Sequence, residues 1–163
     1  MKEIGVVSDT HLLRVEQSFE GLFNSGVFKR IDTFIHAGDF TSIEVVDFLE
    51  SFVFYGVQGN MDDYSIRKRL PERRVVTIEG IKIGVMHGWG APFDLGERVY
   101  AYFGDASLDC IVFGHSHQPA NYYIGKTLMF NPGSLKHSLI SPRRTVGKLL
   151  IEEGKIRGEI LTF

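Results

Sequence analysis

Cysteine is almost absent from this sequence: the 163 residues include only Cys110, inside the apolar run Cys110-Ile111-Val112-Phe113. That excludes a disulfide framework and makes a reducing cytoplasm the expected setting. An excess of one charge is also missing. With 18 basic and 20 acidic residues the formal net charge is -2, so no global positive field recruits nucleic acid and no acidic tail solvates the chain. Long apolar runs are lacking too. None approaches a membrane span, and the N-terminal MKEIGVVSDTH turns polar after four apolar or small residues, short of a signal-peptide core. Repeats, low-complexity stretches and dividing linkers are likewise not found, so residues 1–163 are expected to form a single domain. The apolar fraction of 44% suffices for a core without staples.

What is present alternates. Short β-branched or aromatic runs are interleaved with amphipathic segments in the first half, the pattern of β-α units and a largely parallel sheet. Strands are expected near residues 3–8, 33–37 and 53–57. Between them Phe19, Leu22, Phe23 and Val27 recur at helical spacing, and Ile43, Val46 and Leu49 form a second helix face behind an N-cap at Ser42. After Pro71 the texture changes. Residues 74–78 and 81–86 flank Glu79-Gly80 as a hairpin, and a helix over 93–103 leads to a strand at 110–113. Two more hairpins follow, turning at Gly125-Lys126 and Glu153-Gly154. The expected organisation is an α/β unit followed by a β-rich unit, sharing one core.

Five of these strands end alike. Residues 4–7 run into Ser8-Asp9-Thr10-His11, residues 33–35 into His36-Ala37-Gly38-Asp39, and residues 53–57 into Gln58-Gly59-Asn60-Met61-Asp62. Residues 83–86 run into His87-Gly88, and residues 110–113 into Gly114-His115-Ser116-His117. Ligands bind at the C-terminal strand edge of open α/β sheets, and glycine there lets backbone approach a bound group. Each feature also has an ordinary reading. Asp9 and His11 serve as a loop pair or helix cap, Gly38-Asp39 and Asn60 as turns, and His87 as a core histidine bonded to backbone. His115 and His117 are harder to dismiss, because two imidazoles after a buried strand are costly without partners.

Taken jointly, Asp9, His11, Asp39, Asn60, His87, His115 and His117 are seven candidate metal ligands. A zinc takes about four ligands and an octahedral ion about six, so seven overfill one centre and suit two ions sharing a carboxylate. Imidazole and carboxylate donors without thiolate point to catalytic divalent ions, manganese first, with nickel, cobalt, iron or zinc as alternatives. Two metals about 3.5–4 Å apart activate water and clamp a phosphoryl group.

The ordered set Asp9-x-His11, Gly38-Asp39, Gly59-Asn60, His87 and Gly114-His115-x-His117 resembles the calcineurin-like metallophosphoesterases. With the short length, Asn131-Pro132-Gly133-Ser134 resembles the small bacterial and archaeal phosphodiesterase branch, to which the retromer subunit of this fold is related. The resemblance implies an α/β fold, a four-layer α/β/β/α sandwich of two mixed sheets flanked by helices. It implies that Asp9, His11 and His117 hold one ion, that Asn60, His87 and His115 hold the other, and that Asp39 bridges. A bridging hydroxide is then the implied nucleophile, and the implied activity is a metal-dependent phosphodiesterase with Asn60, His87 and Asp62 as its candidate catalytic residues.

Two positions depart from the pattern. Many relatives carry a histidine where this chain has Met61, so a general acid worth about 10²- to 10⁴-fold is missing there, which favours small diesters over monoesters. Trp89 stands where relatives often show a second histidine, and reads as a cleft wall or partner contact. Asp62 has two readings, an acid that orients the Asn60 loop and a solvated helix cap. His36 either backs a ligand or packs under its loop. Asn131 to Ser134 read as a tight turn at the cleft rim, and His137, Arg143 and Arg144 have two readings, groups that approach a phosphate and, the favoured one, surface residues. Tyr122 and Tyr123 suit either a homodimer contact or ordinary packing. Two alternatives stay open: a non-catalytic scaffold of the same fold, and a phosphomonoesterase or phosphatase.

Overall fold

The computed structural model describes residues 1–24, 26–104, 107–136 and 142–162. Its strands are β1 (Lys2–Val7), β2 (Thr33–His36), β3 (Val53–Gly56), β4 (Arg73–Ile78), β5 (Ile81–Met86), β6 (Cys110–Val112), β7 (Ala120–Ile124), β8 (Thr127–Asn131), β9 (Thr145–Glu152) and β10 (Lys155–Thr162). Its helices are α1 (Gln17–Asn24), α2 (Ile43–Leu49), α3 (Tyr64–Arg69) and α4 (Leu95–Phe103). The strands form two five-stranded sheets, ordered β10-β9-β1-β2-β3 and β4-β5-β6-β8-β7. Both are mixed: β1, β2 and β3 run parallel in the first sheet, and β5, β6 and β8 in the second.

Local chemistry accounts for the elements. Ser42 caps α2, its hydroxyl accepting from the Glu44 amide at 3.2 Å. Glu79 and Gly80 both take positive φ (49° and 81°), as a two-residue turn matching the strand twist requires. The two sheets face each other across Ile4, Val6, Ile35, Val85, Val112, Phe130 and Leu149, all with 0% exposure. Helices α1, α2 and α3 cover the outer face of the first sheet with Phe19, Phe23, Val45, Leu49 and Ile66. On the outer face of the second, α4 packs Leu95, Val99 and Phe103. The result is the α/β/β/α layering implied by the sequence resemblance.

Two expectations change. The division into an α/β unit and a later β-rich unit fails at the C-terminal hairpin. There β9 returns to pair antiparallel with β1, Lys2 opposite Ile151, and so completes the first sheet. Helix α3 is an addition: Ile66 is its one buried residue, so it carries no apolar period to read.

Candidate metal centre

All six strands that run parallel within their sheets end at one edge, and the loops that leave them are tied together by backbone. The Asp9 amide donates to Gly38 O at 3.0 Å, His11 N to Asp39 O at 3.2 Å, and Gly114 N to His87 O at 3.0 Å. This gathers Asp9, His11, Asp39, Asn60, His87, His115 and His117 into one cluster.

Two groups of donor atoms could each hold a cation: Asp9, His11 and His117, and Asp9, Asp39 and His87. In the first, His117 Nε2 lies 3.2 Å from His11 Nε2 and 3.2 Å from Asp9 Oδ1. In the second, Asp39 Oδ2 lies 3.3 Å from His87 Nε2. Asn60 Oδ1 extends this group, at 3.1 Å from both His87 Nε2 and His115 Nδ1. Donors around one divalent ion at about 2.0–2.2 Å stand about 3.0–3.5 Å apart, the spacing of the His11–His117, Asp9–His117 and Asp39–His87 pairs, while Asp9 Oδ1 lies somewhat farther from His11 (3.8 Å) and His87 (3.9 Å). Asp39 Oδ2 reaches His87 at 3.3 Å and His11 at 3.7 Å, whereas Asp9 Oδ1 favours His117 at 3.2 Å over His87 at 3.9 Å. The Asp39 oxygen is therefore the more evenly shared.

The hydrogen bonds leave lone pairs pointing inward. His87 Nδ1 lies 2.7 Å from Ala37 O and His115 Nε2 lies 2.9 Å from Gly90 O. Each carbonyl fixes the proton on that nitrogen, so the opposite ring nitrogen meets Asn60 Oδ1 as acceptor facing acceptor. Asp9 divides its two oxygens: Oδ2 accepts from Ser8 Oγ at 2.6 Å and His115 N at 3.0 Å, while Oδ1 is buried with no hydrogen bond. Asp9 Oδ1, buried without a donor, is costly to leave so unless a cation lies beside it, and the acceptors that face one another around the exposed Asn60 are open to an ion from solvent. The residues present thus fit divalent metal ions.

Residues 1–154 match the profile of the calcineurin-like phosphoesterase superfamily domain. The chain belongs to that superfamily. It is 33% identical over 156 residues to a probable metallophosphoesterase of Methanocaldococcus jannaschii, covering 92% of this chain and 76% of the relative. A phosphodiesterase of the same organism is 26% identical over 147 residues, covering 80% of this chain and 82% of the relative. Vps29 of Entamoeba histolytica, solved in complex with zinc, superposes with a TM-score of 0.73 at 24% identity over 98% of both chains.

In this superfamily member the cluster is built under strain. Asp9, His11, Asp39, His115 and His117 all take left-handed backbone, with φ of 50°, 47°, 60°, 68° and 59°. Such conformations cost about 1 kcal/mol or more each in non-glycine residues, and persist only where surroundings hold them. Close approach adds a further demand. A Cβ at Gly59 would lie 2.1 Å from Asp39 Oδ1, and one at Gly114 would lie 2.0 Å from Ser8 Oγ.

Asp62 supplies much of the hold. It is 3% exposed, and its carboxylate accepts from the amides of Asp39 (3.0 Å), Gly59 (2.8 Å) and Thr41 (2.9 Å). The reading of Asp62 as a solvated helix cap is corrected, because Asp63 caps α3 by accepting from Ile66 N at 3.2 Å. Nor does Asp62 face the donor cluster; it is a positioning residue tying the Asp39 loop to the Asn60 loop. Burial pushes its carboxyl above the usual range despite the amide bonds.

Other supports were not legible as such in the sequence. Asn131 to Ser134 do turn tightly, Asn131 Oδ1 accepting from Gly133 N at 2.9 Å, but the turn is buried and acts as a brace: Asn131 Nδ2 donates to Gly114 O at 3.0 Å, and Ser134 Oγ to Asp9 O at 2.8 Å. Arg67 clips the Asn60 turn, its Nε donating to Asp62 O at 2.7 Å and Nη2 to Asn60 O at 2.8 Å. His36 packs beneath its loop, stacked on Phe40 at 3.5 Å and accepting from Gly38 N at 3.0 Å. Burial holds the His36 ring well below the usual histidine range, so it stays neutral. Burial also lowers His11. At His87 burial opposes a second proton, but the Asp39 carboxylate 3.3 Å from Nε2 and the Asp9 carboxylate outweigh it and raise the ring's basicity in the metal-free site, a proton that a cation bound to Nε2 would displace. Met61 is exposed at 60%, and Trp89 lines a cleft beside Asn60 and His87. His137 lies outside the described residues. No helix among the described residues is long and apolar enough to cross a membrane.

Proposed function

We propose that this superfamily member is a phosphodiesterase using two divalent metal ions. One is held by Asp9, His11 and His117, the other by Asn60, His87 and His115, with Asp39 shared. The observation that carries this is the complete donor set, seven side chains converging with acceptors facing acceptors at 3.1 Å around Asn60. Two such ions supply an activated water and neutralise charge on the phosphoryl oxygens. The chain contributes the rest. The Ala37 and Gly90 carbonyls fix the tautomers of His87 and His115, Asp62 holds the two central loops in register, and the strained ligand backbones aim the side chains before substrate arrives.

Diesters are favoured over monoesters because Met61, where a proton donor would face the leaving group, can donate none. The M. jannaschii phosphodiesterase among the relatives supports the same choice. A scaffold of the same fold, for which Vps29 is the structural parallel, is disfavoured by the completeness of the donor set. Manganese is the proposed ion because three of the seven donors, Asp9, Asp39 and Asn60, are oxygens and none is a thiolate, a set that suits a hard ion although manganese binds most weakly of the first-row series. The test is hydrolysis of bis(p-nitrophenyl) phosphate with added manganese, compared with p-nitrophenyl phosphate. Activity on the diester, lost with chelator and in Asp39→Ala and His115→Ala, is expected; full activity in Asp39→Ala would overturn the proposal.

A further inference from the structure

A cleft of about 330 Å³ opens from the Asn60 and His87 end of the cluster, lined also by Gln58, Arg67, Glu72, Met86, Trp89 and Tyr102. Its lining is of two kinds, aromatic and polar. Trp89 is 43% exposed and leans edge-on against Tyr102, ring centroids 5.3 Å apart at 68°. The Tyr102 ring is itself covered by the Arg73 guanidinium, 4.9 Å from its centroid. Trp89 is thus a partly exposed aromatic ring in the cleft beside the donor cluster, and Arg98 Nη2 anchors its backbone by donating to Trp89 O at 2.8 Å.

The rest of the lining is mostly polar and includes the Arg67 guanidinium as well as acceptors. Glu72 brings a carboxylate, and Gln58 has its amide nitrogen committed to Leu70 O at 2.8 Å, so it offers the cleft a carbonyl oxygen. A flat group stacked on the indole would thus share the cleft with these polar groups. A plain phenyl or alkyl group would leave them without a partner, whereas a nucleobase carrying an exocyclic amine matches both the aromatic and the polar lining. The volume is at the small end for ligand pockets and suits a single nucleoside. The near-neutral chain charge likewise matches a small diester better than a polynucleotide.

Resting on the phosphodiesterase reading above, we propose that this cleft is a nucleoside subsite. An amine-bearing nucleobase stacks on Trp89, faces Glu72 and Gln58, and sets the phosphodiester over Asn60 and His87. The substrate class is then small nucleoside phosphodiesters.

Trp89 is the sole tryptophan in the chain, so intrinsic fluorescence reads this wall directly. The experiment titrates metal-loaded protein with adenosine 5′-monophosphate and with ribose 5-phosphate, following Trp89 emission, and measures both as inhibitors of bis(p-nitrophenyl) phosphate hydrolysis. The nucleotide should quench emission and inhibit at a concentration about ten-fold or more below ribose 5-phosphate, the low side of one base stacked on an aromatic ring. Trp89→Ala should bring the two inhibition constants within about two-fold, and Trp89→Phe should keep part of the gap. Equal inhibition without quenching overturns the subsite, while leaving the phosphodiesterase reading intact if the ester is turned over. Selective quenching in a protein that hydrolyses no diester with any divalent ion overturns the activity instead and leaves the nucleoside site standing.

Discussion

Replacing Asp62 by alanine removes a carboxylate that no cation or substrate need touch, yet it should damage both fold and metal binding. Three amides, those of Asp39, Gly59 and Thr41, donate to it at 2.8–3.0 Å inside a site where Asp62 is 3% exposed. Hydrogen bonds to a charged acceptor contribute about 1.5–3 kcal/mol each, so three would sum to about 5–9 kcal/mol. They share one acceptor and water can enter the gap, so a loss of about 3–5 kcal/mol is expected, the upper end of single substitutions. Urea denaturation of chelated protein, followed by circular dichroism, measures it. The loops carrying Asp39 and Asn60 lose their common anchor, so metal affinity measured by calorimetry should fall as well. Asp63→Ala is the control: it removes only the α3 cap, and should cost far less while leaving metal affinity unchanged. A loss below about 1 kcal/mol in Asp62→Ala, or unchanged metal affinity, would refute the positioning role.

Gly59→Ala places a methyl 2.1 Å from Asp39 Oδ1 and 2.4 Å from its amide, neither able to retreat without disturbing a candidate ligand. Overpacking of this kind should cost about 2–3 kcal/mol in thermal melts and weaken metal binding; a change within about 0.5 kcal/mol would contradict so close a contact between the two loops. His36 is neutral when folded, whereas in the unfolded chain it titrates near 6.5, so the unfolded state binds more protons below that pH and stability falls as pH falls. Between pH 7 and 5.5 the chelated protein should lose on the order of 1 kcal/mol more than His36→Asn, and identical pH profiles would place the ring in water.

The candidate metal ligands were legible because strand chemistry is local. Apolar runs such as residues 83–86 and 110–113 announce buried strands, and a histidine at the end of one stands out against them. The residues that hold the ligands were less visible. Asp62, Asn131 and Ser134 are ordinary turn residues in sequence, and their partners, Asp39, Gly114 and Asp9, lie between 17 and 125 positions away. The C-terminal hairpin shows the same limit: its turn at Glu153-Gly154 is written locally, but the pairing of Lys2 with Ile151 is not. Helix α3 had one buried side chain to betray it, too few for a period.

Metal content decides the central claim. Protein reconstituted with manganese, desalted and analysed by mass spectrometry for bound ions should carry two per chain, with melting raised relative to chelated protein as mass action requires. Asp39→Ala, lacking the shared oxygen, should hold fewer and show little rise. A protein that binds no divalent ion of any kind and melts identically with and without metal would contradict the account.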